Sequence, residues 1–259
     1  MPPQNPPRKA VRSPGTPARG SARRRHRALG RDAIVQVALQ IVDTKGIDLV
    51  SMRSVAAEFD TGPASLYVYF DNKDALLHAV LDHVLDQMPI PEGEDWKSML
   101  RNHAHTSRAL LARHNDLARL TFAHIPNSLR MFDAAEALLK SMIESGVPPR
   151  AAAWALDHLS VHVASTVYDA YLKRTRFGDD SGRDPEELRA AQFVAGVGRA
   201  FAATSPTRFP YLIKNADALM AGTQDDRFAF SIDTLIAGLT AYDGAALTSG
   251  DHMIERPRP

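Results

Sequence analysis

Six polar residues stand where the surrounding apolar pattern turns side chains inward: His103, Ser107, His124, His158, His162 and Tyr168. An imidazole can donate, accept, bind a metal or change charge near neutrality. Left buried without a partner, such a group costs roughly 1–3 kcal/mol. It therefore pairs within the core, with water or with a ligand. His158 and His162 lie four residues apart on one helical face, a spacing able to bind zinc. No glutamate follows His158 and no third ligand is evident, so neither a metal nor a cofactor is expected. No G-x-S-x-G elbow and no P-loop occur, and Gly196-Val197-Gly198 lies inside a helical pattern that follows no strand. No catalytic constellation is visible. What remains is a set of convergent polar groups in an apolar pocket, the usual composition of a small-molecule site, with Phe122, Phe132, Trp154 and Tyr168 as walls. A lone histidine on an apolar face is more commonly a hydrogen-bonded core residue, and both readings stay open at this point.

A second chemistry is electrostatic. The 259 residues carry a formal charge of +1, which hides an asymmetry. Arg8, Lys9, Arg12, Arg19, Arg23, Arg24, Arg25 and Arg27 crowd residues 1–30, where no acid occurs, leaving 23 basic against 30 acidic residues elsewhere. A basic arm on an acidic body implies an anionic partner for the arm. Residues 1–30 are rich in Pro, Arg, Ser and Gly and cannot bury a core, so a disordered arm is expected. The alternative is a solubilising tail. An arm that follows phosphates or enters a minor groove is favoured because a helix-turn-helix lies just beyond it, and Arg23, Arg24, Arg25 and Arg27 are closest to the folded part.

That helix-turn-helix is SMRSVAAEFDTGPASLYVYFDNK, residues 51–73. Ser51 suits an N-cap, and Val55, Ala56 and Phe59 form one buried stripe. Asp60 tolerates the left-handed conformation that ends a helix. Gly62-Pro63 restarts the chain into a second short helix. Leu66 and Phe70 point inward, which leaves Pro63, Ala64, Ser65, Tyr67, Val68 and Tyr69 outside. Such a second helix can enter the DNA major groove, with Ala64 and Ser65 reaching base edges and Thr61, Gly62 and Pro63 at its start. Lys73 opens the next helix, whose N-terminus attracts phosphate oxygens.

The stretch LYVYFDNKDALL resembles the signature of the TetR family of repressors, without a gap from about Ala33 to Leu85. One departure is Asp60, where that family commonly has glycine. The resemblance implies that Tyr67, Tyr69 and Lys73 hold phosphates and that Ser51 and Arg53 add contacts from the preceding helix. WKSMLRNHAHTSRALLARHNDLARLTFAHIP is similar in spacing to the tetracycline-repressor branch, as is the late FPYLIKNADALMAGTQDDRFAFSIDTLIAGL. The inducer contacts of that branch do not carry over. His103 and Ser107 stand where it has asparagine and phenylalanine, and Thr121 stands where it has a metal-binding histidine, with His124 one turn later. Tetracycline with magnesium is therefore not the expected ligand.

These groups need an all-α scaffold. The spacing predicts a three-helix DNA-binding domain over 31–88, a helical ligand-binding and dimerisation domain over 94–244, and a flexible tail over 245–259. Within it, helices are expected over about 31–45, from 71 or 72 to 88, from 96, from Pro126 to Ser145, from 148 to 176, from 185 to 203 and from 225 to 242. The helices at about 150–175 and 225–242 are apolar on more than one face, as buried or interface helices are, and Ile232 and Leu235 are the expected dimer contacts. No run approaches the length of about 18 apolar residues that a membrane span needs. With no cysteine, a reducing cytoplasm fits. The expectation is a homodimeric repressor, bound to double-stranded operator DNA in the cytoplasm and released by a small-molecule effector, with no membrane partner. The alternatives are a TetR-like activator, and an all-helical enzyme or small-molecule binding protein, for which a basic arm would have no use.

Overall fold

The computed structural model describes residues 28–122, 124, 128–177 and 185–242. The basic arm with Arg23, Arg24, Arg25 and Arg27, the acidic stretch after 177 and the tail lie outside the described residues. Within them the chain forms α-helices joined by turns and short 3-10 segments, with no strand.

Helix α1 (Arg31–Lys45) buries Ile34, Val37, Ala38, Ile41 and Val42 on one stripe. Gly46, at φ 84°, ends it. A 3-10 turn over Ile47–Leu49 leads to α2 (Met52–Ala57), where Ser51 and Ser54 form a reciprocal capping box. Asp60 takes φ 53°, the left-handed conformation its side chain tolerates. The second segment of the motif differs from expectation. It is a 3-10 turn over Pro63–Ser65 followed by further turns to Tyr69, not a regular α-helix. It stays fixed because Leu66 and Phe70 are buried beneath it, at 0% and 3% exposure. Removing the Leu66 side chain to Cβ would cost about 2–5 kcal/mol. From the far side, the Arg31 guanidinium donates to the Tyr69 carbonyl at 3.0 Å and lies 4.5 Å above the Phe70 ring.

Helix α3 (Lys73–Leu85), capped by Asn72, packs across α1 and runs towards the remaining helices. Before α4 (Trp96–Leu111) the chain turns at Gly93, where a Cβ would fall 2.5 Å from Ser98 Oγ and 2.7 Å from the Met99 nitrogen. A 3-10 segment, Leu117–Thr121, follows. Helix α5 (Leu129–Glu144) starts at a Ser128 cap. Pro126, expected to open it, lies outside the described residues. The long α6 (Pro149–Phe177) packs against α4, α5, the 117–121 segment, α7 (Pro185–Ala202) and α10 (Gln224–Ala241). Between the last two come the short α8 (Pro210–Lys214) and α9 (Ala216–Met220). Phe228, Ile232, Ile236 and Leu239 place α10 in the core of its own chain. Ile232, expected at a dimer contact, is therefore 1% exposed within one chain, and it cannot serve as an interface residue. Large apolar side chains turned outward on this pair of helices include Trp154, Val161, Leu172 and Phe230.

Candidate functional site

The first surface is built by α2 and the turn after it. Arg53, Pro63, Ala64, Tyr67 and Val68 are exposed, Val68 by 82% and Tyr67 by 53%. Ser65, expected at base edges, is half-buried and held in the turn. Its hydroxyl donates to the Gly62 carbonyl at 2.7 Å and lies 3.1 Å from Thr61 Oγ1, so both hydroxyls brace the turn. Gly62 is exposed and supplies that carbonyl. Ser51 is likewise occupied as the cap of α2. Tyr69 is half-buried, its backbone held by Arg31. Lys73 Nζ donates to the Ile47 carbonyl at 3.3 Å, which anchors the start of α3 to the turn after α1. Val68 is expected outside from its spacing, yet it is absent from the residues expected to read DNA. Its exposure in a turn between buried Leu66 and Phe70 is the available signal.

The second site is a cavity of about 420 Å³ among α3, α4, α5 and α6. His103, Ser107, Thr121, His124 and Phe132 all line it, together with Leu85, Met88, Arg130, Leu138 and Val163. The remaining candidates lie elsewhere. Phe122 is part-exposed and outside the cavity wall. Trp154 and His158 face an apolar groove between α6 and α10. His162 stacks between His158 and Phe228, with ring centroids 6.2 and 5.5 Å apart, and its buried Nε2 has no partner. Burial, with help from His158 and Arg108, lowers its pKa. Tyr168 stacks on Tyr171 at 6.0 Å. The period of α6 identifies its apolar faces correctly but not which neighbour covers each one.

Inside the cavity the polar groups divide sharply. Ser107 Oγ donates to the His103 carbonyl at 2.7 Å, with Met88 Sδ 2.9 Å away, and Thr121 Oγ1 donates to the Ala118 carbonyl at 2.8 Å. Both hydroxyl protons are satisfied locally. The His103 ring makes no hydrogen bond among the described residues, and burial pushes its pKa down to about 4, so the ring is neutral near pH 7. His124 Nε2 meets Asp82 Oδ1 of α3 at 3.0 Å, while Nδ1 is buried and unpaired. Ser128 bonds Asp86, and Arg130 Nε donates to the Met88 carbonyl at 2.8 Å. His124, Ser128 and Arg130 thus grip the C-terminal end of α3 at three points.

A second seam joins the same halves near the end of α1. Asp116, 2% exposed, accepts the Ile47 N–H at 2.9 Å, and Asn115 donates to the Val42 carbonyl at 3.1 Å. His114 pairs with Asp43, and Arg119 with Asp48. The Arg119 guanidinium holds the Asp48 carboxyl below the usual carboxylate range.

A protruding helix-turn-helix with a cavity reaching its last helix narrows the possibilities, and comparison with known proteins decides among them. Residues 34–80 match the family profile described as bacterial regulatory proteins, tetR family, and residues 88–242 match the tetracyclin repressor-like C-terminal domain. The chain belongs to the TetR family. It is a DNA-binding transcription regulator and not an enzyme. The TetR-family relatives include the class G tetracycline repressor of Vibrio anguillarum, 25% identical over 225 residues that cover 85% of this chain and 98% of that protein. The class D repressor of Escherichia coli is 31% identical over 164 residues, 62% of this chain and 75% of its own. Among solved structures, the Streptomyces coelicolor TetR-family protein ActR in complex with actinorhodin superposes with a TM-score of 0.70 at 29% identity, covering 82% of this chain and 97% of that one. No helix among the described residues is long and apolar enough to cross a membrane. Nor do they hold a group of three or more His, Cys, Asp and Glu side chains able to bind a metal.

Proposed function

We propose that the chain is a homodimeric repressor of the cytoplasm, bound to a palindromic operator and released from it by a small, mainly apolar molecule in the cavity of about 420 Å³. The observation that carries this reading is that Leu85 and Met88, at and just beyond the end of α3, form part of the cavity wall. The occupant thus touches the helix whose other end carries Lys73, beside the reading turn. A dimer of this kind reads half-sites about 34–36 Å apart, so a small tilt of α3 in each protomer spoils simultaneous docking. The complex of the similar ActR with actinorhodin supports an organic ligand for the C-terminal half.

Dimer formation is supported by the outward face of α6 and α10. Trp154, Val161 and Phe230 are 57%, 50% and 73% exposed there, beside an apolar groove of about 340 Å³. On the DNA side, Ala64 and Val68 face the bases and sugar edges, while Arg53, Tyr67, Tyr69 and Lys73 hold phosphates. Thr61, Gly62, Ser65 and Ser51 keep the turn in shape. The arginines of the arm add affinity without much specificity.

Selection of bound sequences from random duplex DNA by the purified protein tests this reading. A palindromic consensus is expected. Deleting residues 1–27 should leave that consensus intact and flatten the salt dependence, since each phosphate the arm no longer neutralises takes about 0.9 off the logarithmic slope. Recovery of no enriched sequence would sink the proposal.

A further inference from the structure

Most polar groups at the cavity wall are already satisfied by the protein. Ser107 and Thr121 give their protons to nearby carbonyls, and Arg130 gives its Nε–H to Met88. His124 differs. Its side chain is 6% exposed, its Nε2 is 3.0 Å from Asp82 Oδ1, and its Nδ1 is buried with no partner among the described residues. A carboxylate can only accept, so Asp82 fixes the proton of a neutral His124 on Nε2 and leaves a lone pair on Nδ1. Ser107 and Thr121 give their protons elsewhere, and neither the remaining Arg130 N–H groups nor the His103 ring of the same wall reaches that lone pair. Among the described residues nothing donates to that lone pair, so a bound molecule can. Water can serve until it is displaced, after which only a ligand that repeats its hydrogen bond keeps the affinity.

From this we infer that the effector is a hydroxylated apolar molecule whose O–H donates to His124 Nδ1, and that ethers and carboxylates of the same shape are rejected. The inference rests on the reading of this cavity as the effector site. An ether oxygen or a carboxylate would set lone pair against lone pair, whereas a hydroxyl completes a chain from ligand through imidazole to the Asp82 carboxylate on α3. Such a site discriminates by what is left unpaired when the wrong group enters, which separates ligands more strongly than a difference of one methylene.

The test uses the full chain with three probes of equal skeleton: 2-naphthol, 2-methoxynaphthalene and 2-naphthoate, titrated calorimetrically at pH 8. The expected result is that 2-naphthol binds at least about tenfold more tightly than either other probe, a difference of about 1.4 kcal/mol. In His124→Phe that advantage should shrink to less than about threefold, because the unpaired acceptor is gone. Should the variant fail to fold, the imidazole ¹⁵N spectrum of the wild type decides: the His124 Nδ1 resonance should move with 2-naphthol and not with 2-methoxynaphthalene. Equal binding of the three probes, a preference for 2-naphthoate, a tenfold advantage surviving in the variant, or an unmoved Nδ1 resonance would each overturn the inference while leaving the effector site standing. Binding of none of the three would remove the effector-site reading and this inference together.

Discussion

At the scale of single residues, the ionisable groups of the cavity do different work. His103 is kept neutral by burial, with its folded-state pKa near 4 against 6.5 when exposed. Between those values the unfolded chain binds a proton that the folded chain refuses. Stability is therefore present in full above pH 6.5 and falls as the pH drops towards 4, by up to about 3 kcal/mol from this group. Urea denaturation at pH 7 and pH 4.5 should show that loss in the wild type, and a smaller one in His103→Phe. An equal loss in both would assign the acid sensitivity elsewhere. On the DNA side, Tyr67→Ala and Lys73→Ala should weaken binding to every sequence, because phosphates are the same in all of them. Val68→Ala should instead alter sequence preference, and Ser65→Ala should act mainly through the turn it braces. Affinities at one fixed salt concentration, on the selected operator and on random DNA, separate these effects.

At the scale of elements, the caps and breaks were legible from the sequence because each rests on local chemistry. Ser51 caps α2 as its hydroxyl suggests, and Asn72 caps α3 within the expected start at 71 or 72. The inward pair Leu66 and Phe70 was legible too, since four-residue spacing marks one face whether the turn is α or 3-10. The form of the reading segment was not. Pro63 supplies no N–H and the segment is only a few residues long, so a 3-10 turn held by tertiary contacts replaces a regular helix. Its entry depends on Asp60 at φ 53°. Asp60→Val should destabilise the chain by about 1–2 kcal/mol, whereas Asp60→Gly should be neutral or stabilise by up to about 1 kcal/mol. Thermal melts of the two variants check this, and similar melting temperatures would refute the strain argument.

At the scale of the whole molecule, what the sequence hides is long-range coverage. Faces of α6 and α10 announce themselves as apolar, yet only the packed chain shows that Ile232 looks inward and that Trp154 and Phe230 look out. The same ambiguity separated five cavity residues from Phe122, Trp154, His158, His162 and Tyr168. For the proposed dimer, Trp154→Glu and Phe230→Glu should convert a wild-type dimer to a folded monomer in sedimentation, whereas Ile232→Glu should unfold the chain. A wild-type monomer at micromolar concentration would remove the proposed assembly. The seam formed by Asp43, Asp48 and the Val42 and Ile47 backbone against His114, Asn115, Asp116 and Arg119 has a consequence for engineering. Reading heads are tempting to exchange between sensors so that one effector controls another promoter. Here a graft of residues 31–80 from a relative would bury the Asp116 carboxylate against a foreign loop, and the chimera would lose its rigidity before its fold. A donor head that keeps aspartates at 43 and 48, with the backbone path of 46–47, would keep this seam closed; one without them would lose the His114 and Arg119 pairs across it.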